Sequence, residues 1–211
     1  MLHKDPFLIQ PKTFDLIKKL QAHDALKGFY LVGGTALALQ LGHRNSIDID
    51  LFTTEDFEPT DLINALVKEF SVEATFSAKN TLLSFVDRIK TDFITHNYPL
   101  INPPITEEGI TFLSMADIAA MKLNAISNSG KRIKDFIDIY FLLEHFSLNQ
   151  MIEFYSRKYP KFNPLIALRA VGYFEDIDPE IDPPKLRKPL PLKKIKDRID
   201  SSILNSRKVF Q

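Results

Sequence analysis

The chain has 211 residues, enough for one globular domain or for one domain with a helical extension. Its 27 acidic and 27 basic residues cancel, so no overall positive field indicates nucleic-acid binding, and any RNA contact must come from a local patch. The absence of cysteine excludes disulfides and zinc–thiolate sites. No apolar run approaches ~20 residues and the N-terminus lacks the apolar stretch of a signal peptide, so we expect a cytoplasmic protein without a membrane partner.

Hydrophobic periodicity predicts a mixed α/β arrangement in the first half of the chain. In chain order the predicted elements are a helix over 11–27 that stops at Gly28, a strand over 29–32, a helix over 35–41, a strand over 47–52, a helix over 61–70, and a hairpin of two strands over 82–86 and 89–94.

The proline-rich stretch 99–104 predicts a boundary between an α/β core over 1–104 and a helical C-terminal part over 105–211. In that second part a capping-box pattern at Ser114 opens a helix that reaches about Asn128. The further predictions are a helix over 134–145 and two helix starts at Asn149 and Asn163.

Two aspartates, Asp48 and Asp50, lie in the predicted strand 47–52. Because side chains alternate along a strand, both carboxylates project from the same face. Aspartate is disfavoured in strands, so two of them in one apolar strand indicate a function. The alternative is a solvated strand edge.

Asp92 is the third carboxylate candidate, in the middle of the predicted strand 89–94. If that strand lies beside 47–52, Asp92 completes an all-oxygen site, which favours Mg²⁺ or Mn²⁺. Two such ions would activate an attacking hydroxyl and stabilise a leaving pyrophosphate. The alternative is an aspartate on an edge strand that faces solvent.

Gly33, Gly34 and Thr35 form the turn between the first strand and its helix. Backbone amides at a helix N-terminus, together with the threonine hydroxyl, are suited to the β- and γ-phosphates of a nucleotide. The alternative is an ordinary turn in which the glycines permit positive φ and Thr35 caps the helix.

Lys122 lies in the middle of the apolar stripe of the helix that Ser114 opens. A lysine in such a position either extends its ammonium to solvent or points at an anion, for which a triphosphate is a candidate. Asp135 and Asp138 share a face of the following helix. The helix dipole suffices to explain Asp135, whereas Asp138 either pairs with Lys122 or contacts the base or ribose.

A basic cluster near the C-terminus spans 185–198 and contains Lys185, Arg187, Lys188, Lys193, Lys194, Lys196 and Arg198. It could bind an RNA backbone, or it could be a solvated helix face that the preceding acidic stretch 175–182 neutralises.

These motifs together resemble the AbiEii/AbiGii toxin family, within the polymerase-β-like nucleotidyltransferase superfamily. The resemblance rests on the motifs Gly33-Gly34-Thr35-Ala36-Leu37-Ala38-Leu39, Gly42-His43-Arg44, Ser46, Asp48-Ile49-Asp50-Leu51-Phe52, Asp92, Lys122 with Ala125, Lys134-Asp135-Phe136-Ile137-Asp138-Ile139-Tyr140, and Tyr173-Phe174-Glu175-Asp176. It extends over nearly the whole chain. One departure from the wider superfamily is Gly34-Thr35, where glycine–serine is usual.

The resemblance implies an α+β fold, with a mixed sheet flanked by helices and a helical C-terminal part. It also implies a Mg²⁺-dependent nucleotidyltransferase with an NTP as substrate, Asp48, Asp50 and Asp92 as catalytic metal ligands, and Gly33, Gly34, Thr35, Lys122, Asp135 and Asp138 at the nucleotide. Relatives are toxins of abortive-infection or toxin–antitoxin pairs, which implies a cognate antitoxin and tRNA or another RNA as possible acceptor. Two alternatives stay open: transfer to a small-molecule or protein hydroxyl, and a nucleotide- or partner-binding module without turnover.

Overall fold

The computed structural model describes residues 1–211, which form two compact units. The first unit comprises residues 1–98 and 104–113, and the second comprises residues 99–103 and 114–211. The helices of the first unit are α1 (Pro11–Ala22), α2 (Gly33–Leu41) and α3 (Pro59–Leu66). Its strands are β1 (Tyr30–Leu31), β2 (Ile49–Thr53), β3 (Val72–Ala78), β4 (Thr81–Val86), β5 (Ile89–Thr95), β6 (Ile105–Glu107) and β7 (Ile110–Phe112).

All seven strands of the first unit belong to one mixed sheet in the order β3-β4-β5-β2-β1-β7-β6. The two parallel pairs are β2 with β5 and β1 with β7, and all other neighbours are antiparallel. On one face of β2, Ile49 and Leu51 are fully buried in the core, whereas Asp50 and Phe52 on the opposite face are partly exposed. The predicted α+β fold with a mixed sheet is confirmed.

The predicted hairpin over 82–94 is confirmed, and its turn explains the register. Asp87 and Arg88 both have positive φ, at 47° and 65°. That geometry is required in the two-residue turn that matches the twist of paired strands. The strands then pair Val86 with Ile89 and Leu83 with Asp92, which fixes the face that Asp92 presents.

Three strands, β3, β6 and β7, were not predicted from the sequence. Strand β3 is at the edge of the sheet and its side chains are mostly exposed. Its apolar residues Val72, Ala74, Phe76 and Ala78 alternate with polar ones, so the period-2 signal of a strand is present in the sequence. Strands β6 and β7 have three residues each, joined by a turn at Glu108 and Gly109 with positive φ. The boundary between the two predicted domains, after residue 104, stays a prediction.

Helix α1 is shorter than predicted. It ends at Ala22 because His23 adopts an extended backbone, with ψ at 131°, and the chain continues into a single 3₁₀ turn over Asp24–Leu26. The side chain of His23 accepts a hydrogen bond from the backbone N–H of Ala25 at 3.1 Å and thereby caps that turn. The apolar periodicity over 11–27 therefore covers two elements rather than one.

The second unit contains five helices: α4 (Met115–Asn128), α5 (Ile133–Leu142), α6 (Leu148–Lys158), α7 (Pro164–Val171) and α8 (Leu192–Leu204). Ser114 caps α4 as predicted, because its side chain accepts a hydrogen bond from the N–H of Asp117. Helix α6 begins one residue before the predicted start at Asn149, and its N-cap Ser147 forms a capping box with Gln150. None of the helices in the chain has the length and apolar character needed to cross a membrane.

A fully buried ion pair lies inside the second unit. Lys158 Nζ is 2.8 Å from Asp117 Oδ1, and neither side chain is exposed. Asp117 also accepts hydrogen bonds from the backbone N–H groups of Ile101 and Asn102. The pair thus ties the segment 99–103 to helices α4 and α6.

Candidate active site

Two of the three acidic residues expected at the site, Asp50 and Asp92, lie side by side on neighbouring strands of the sheet in the first unit. Strands β2 and β5 are parallel neighbours, and Asp50 is the direct partner of Asp92 in their register. Asp48 lies directly before β2, and its charge is near enough to raise the pKa of Asp92. Neighbouring strands lie roughly 5 Å apart, which brings the Asp50 and Asp92 side chains close to each other. The strand pairing on which the role of Asp92 depends is present.

The glycine turn at the start of α2 is adjacent to Asp50. Gly33 has a φ of +70°, and a Cβ at this position would lie 3.2 Å from Asp50 Cγ and closer still to Oδ2. Only glycine satisfies both the backbone conformation and this close approach. The carboxylate of Asp50 and the first amides of α2 therefore share one small region.

Arg44 approaches the same turn from another side. A Cβ on Gly34 would lie 3.1 Å from Arg44 Cζ and closer still to Nη2. The guanidinium is buried and donates from Nη1 to the carbonyl oxygen of Asn45 at 2.9 Å. A buried positive charge beside the first turn of α2 adds to the positive end of the helix dipole.

Thr35 does not present its hydroxyl as the sequence suggested. The side chain is buried, donates to the carbonyl oxygen of Asp48 and shares a hydrogen bond of 2.8 Å with Ser46 Oγ. These bonds connect helix α2 to the segment that leads into β2. The alternative role, Thr35 as N-cap, is wrong, because the N-cap residue is Val32 and no side chain caps this helix.

Asp92 is the carboxylate with incomplete hydrogen bonding. Its Oδ1 atom is buried and has no hydrogen-bond partner, and its Oδ2 atom is 3.5 Å from Lys90 Nζ. Burial raises the pKa of Asp92, and the charge of Asp48 raises it further, against the opposite effect of Lys90. Burial by itself lowers the pKa of Lys90, but the three nearby carboxylates outweigh this effect and raise it.

The donor set of this face fits a hard divalent cation. Its candidate ligands are all carboxylate oxygens, the donors that Mg²⁺ and Mn²⁺ prefer, and Oδ1 of Asp92 receives no hydrogen bond from the protein. No three histidine, aspartate or glutamate side chains converge closely enough to hold a metal ion without further ligands. Such a set is compatible with a site that substrate oxygens complete, since Mg²⁺ is commonly bound by one or two carboxylates plus phosphates.

The remaining predicted residues meet in the second unit. Lys122 Nζ lies 2.7 Å from Asp135 Oδ1 and 2.7 Å from Asp138 Oδ2. Arg132 also contacts Asp135, with its Nη2 atom 3.0 Å from Oδ2. The structure therefore confirms that Asp138 pairs with Lys122, and it fixes the ammonium between two carboxylates on α5.

The sequence matches the model of a known protein family. Residues 15–203 match the model of the family described as nucleotidyl transferase AbiEii toxin, type IV toxin–antitoxin system. The chain belongs to the AbiEii nucleotidyltransferase toxin family. The family predicted from the motifs is thus confirmed, and with it the general class of nucleotidyltransferase.

Individual relatives agree with this family. The uncharacterized protein aq_aa25 of Aquifex aeolicus (strain VF5) is 32% identical over 173 residues, which cover 79% of this chain and 84% of that protein. Among solved structures, the nucleotidyltransferase toxin MenT4 of Mycobacterium tuberculosis H37Rv has a TM-score of 0.58 at 15% identity and covers 92% of this chain and 84% of its own. JHP933 of Helicobacter pylori has a TM-score of 0.55 at 14% identity, and the match covers 94% of this chain and 93% of JHP933. At such low identity these structures support the fold alone.

Two residues near the acidic face of this AbiEii-family protein were missed in the sequence. Lys90 lies two positions before Asp92 on the same strand, so alternation alone places it on the same face. Arg44 belongs to the motif Gly42-His43-Arg44, but its burial against Gly34 was not predicted. The signal for Arg44 was weak, because nothing in the local sequence shows that a loop arginine is buried.

Proposed function

We propose that this AbiEii-family protein is a Mg²⁺- or Mn²⁺-dependent enzyme that transfers a nucleoside monophosphate from an NTP to an acceptor hydroxyl. We also propose that it acts as the toxin of a pair with a cognate antitoxin. The observation that carries the proposal is the register of Asp50 with Asp92 on neighbouring parallel strands, beside the Gly33 turn. Family membership supports the same class of reaction.

Asp48, Asp50 and Asp92 are the residues that we propose hold the divalent cations. Bound cations of this kind neutralise phosphate charge and lower the pKa of a coordinated hydroxyl. The Asp92 carboxylate, whose Oδ1 has no donor from the protein, is the group that we propose orients the acceptor hydroxyl and receives its proton. Asp50 is held beside the glycine turn, where phosphate charge has to be balanced.

The phosphates are assigned to the start of α2. The amides of its first turn have no acceptor within the helix, and Gly33 and Gly34 leave space for close approach. Thr35 would act indirectly by holding the Asp48 backbone in place through its hydroxyl. Lys122 is proposed to bind phosphate oxygens, with Asp135 and Asp138 fixing the ammonium, and both acidic residues are proposed to contribute to nucleotide binding.

RNA, including tRNA, is the acceptor class that we propose first, because of the family to which the chain belongs. A small-molecule or protein hydroxyl is the second candidate. It is favoured by the balanced charge of the chain and by the pairing of Lys193, Lys196 and Arg198 with Asp197, Glu175 and Glu144. These ion pairs leave fewer basic side chains of the 185–198 segment for an RNA backbone.

The test of the proposed reaction is Asp50→Ala, assayed with each of the four labelled NTPs and total tRNA in the presence of Mg²⁺. We expect transfer to fall by at least about a hundredfold, since the variant loses a charge needed at the reacting phosphate. Asp15→Ala is the matched control, because Asp15 is an exposed aspartate on α1 of the same unit. Undiminished transfer by Asp50→Ala would refute the assignment.

The acceptor class is decided in a separate experiment. The wild-type protein is incubated with labelled NTPs in cell lysate, and label is counted in RNA, protein and small-molecule fractions. Label in RNA supports the first candidate and label elsewhere supports the second. NTP binding by calorimetry without pyrophosphate release over hours would instead support a binding module without turnover.

A further inference from the structure

Lys90 is a basic residue on the acidic face of the first unit. It is at the second position of β5, its Nζ is 3.5 Å from Asp92 Oδ2, and its side chain is 50% exposed. The charges of Asp48 and Asp50 also act on it. An ammonium therefore lies next to Asp92, one of the three carboxylates to which the proposed function assigns a divalent cation, and within electrostatic range of the other two.

We propose that Lys90 takes the place of a cation in the metal-free protein and that the divalent ion must displace it from Asp92. The inference rests on the proposed function, in which Asp92 is a metal ligand. Lys90 and the metal compete for the same charge, because both are attracted to Asp92 and repel each other at short range. Lys90 is thus a positioning residue that lowers the affinity of the site for the divalent ion until NTP is also present.

The exposure of the two partners determines which of them moves. The Asp92 side chain is only 12% exposed and lies in the central part of the sheet, between β4 and β2. The half-exposed Lys90 has a flexible stem, so its ammonium returns to water at small cost when a stronger cation arrives. Displacement therefore leaves the carboxylate in place and moves the lysine.

This competition couples metal binding to nucleotide binding. Without NTP, the ion gains only the carboxylate ligands and has to remove an ion pair. With NTP, the phosphates supply further oxygen ligands and also offer the released ammonium a new anionic partner. The protein should therefore bind the metal weakly alone and tightly as a metal–NTP complex.

The experiment measures Mn²⁺ affinity without nucleotide, by the loss of the electron paramagnetic resonance signal of free Mn²⁺. The test variant is Lys90→Met, which keeps the stem and removes the charge. We expect Mn²⁺ to bind about tenfold more tightly than to the wild-type protein. Lys79→Met is the control, since Lys79 is an exposed lysine of the same unit, 3.8 Å from Asp56, and should leave the affinity unchanged.

Asp92→Asn separates a failure of this proposal from a failure of the proposed function. If Asp92→Asn weakens Mn²⁺ binding but Lys90→Met does not strengthen it, the role of Lys90 is wrong and the metal site stands. Wild-type affinity in Asp92→Asn would overturn the metal assignment and the role of Lys90 with it. Weaker binding in Lys90→Met would show that the lysine supports the metal site instead of competing for it, and would also overturn the proposal.

Discussion

Each unit of the protein contains a buried aspartate paired with a lysine, and the two differ in how completely the carboxylate is bonded. In the second unit, Asp117 Oδ1 accepts from Lys158 Nζ at 2.8 Å and from the N–H of Ile101 at 3.0 Å. Its Oδ2 accepts from Ser114 Oγ at 2.6 Å and from the N–H of Asn102 at 3.3 Å. Four donors thus serve one carboxylate that has no exposed surface.

In the first unit, Asp92 has one buried oxygen without any partner and a second oxygen near a half-exposed lysine. Buried polar atoms in folded proteins are nearly always hydrogen-bonded, so an exception needs a reason. A carboxylate whose bonds are complete stabilises the fold and has no capacity left for a ligand. One whose bonds are incomplete is less favourable for the fold and open to a cation or a reacting hydroxyl.

The largest effect on stability is expected when the Lys158–Asp117 ion pair, whose carboxylate is fully hydrogen-bonded, is broken. Lys158→Met leaves Asp117 charged, buried and short of its strongest donor, which should lower the free energy of unfolding by about 3–5 kcal/mol. Urea denaturation followed by circular dichroism measures the change. Nucleotidyl transfer per folded molecule should not change, since Lys158 belongs to neither cluster assigned to the reaction.

Lys193→Met is the control for that prediction. Lys193 is 82% exposed and pairs with Asp197 one turn away on α8, so its loss should change the stability by less than about 0.5 kcal/mol. A loss below about 1 kcal/mol in Lys158→Met would contradict the structural role given to the complete pair.

The contrast between the two aspartates could be predicted only in part from sequence. Alternation and β-propensity are local signals, and they placed Asp48 and Asp50 on one strand and Asp92 on another. That the two strands are neighbours was only a condition of the prediction, and the structure supplies it. Asp117 was visible only as part of a capping pattern. Its partner Lys158 lies 41 positions further along the chain, on a helix whose packing against α4 depends on the whole unit.

The hydrogen bonds of Thr35 could not be predicted either, because they too depend on residues further along the chain. The hydroxyl of Thr35 was expected to face a phosphate, but it bonds to Ser46 and Asp48. These partners depend on the path of the segment between Gly42 and β2, which no local sequence pattern predicts. Strand β3 and Lys90 were missed although alternation indicates both, since every second residue from Val72 to Ala78 is apolar and Lys90 lies two positions before Asp92.

A smaller loss of stability is expected for Gly33→Ala, which places a methyl group against the Asp50 carboxylate. The substituted residue is also strained by the positive φ, so we expect the free energy of unfolding to fall by about 2–4 kcal/mol. Gly109→Ala is a matched control, because its φ is +82° but the nearest atom would be Lys18 Cε at 3.8 Å. It should lose only about 1–2 kcal/mol, from backbone strain. Equal losses in the two variants would argue that Asp50 does not hold its place beside the turn.

The smallest effect, and one of opposite sign, is expected when the incomplete carboxylate itself is neutralised. Burial raises the pKa of Asp92, so its contribution to stability is complete below the unfolded-state pKa and is lost as the pH rises through the folded-state value. Asp92→Asn cannot ionise and should therefore be more stable than wild type at pH 7 in EDTA, by up to about 1 kcal/mol. Loss of the contact with the half-exposed Lys90 should subtract little from this gain.

Urea denaturation from pH 7 down to about pH 4 checks the sign, because the advantage of Asp92→Asn should shrink as Asp92 protonates in the wild-type protein. Added Mn²⁺ should then reverse the order at pH 7, since only a protein that binds the ion in its folded state is stabilised by it. A stability gain that does not depend on pH would mean that the charge of Asp92 is not its cause. If the order fails to reverse, the unpartnered oxygen is a packing defect rather than a place kept open for a ligand.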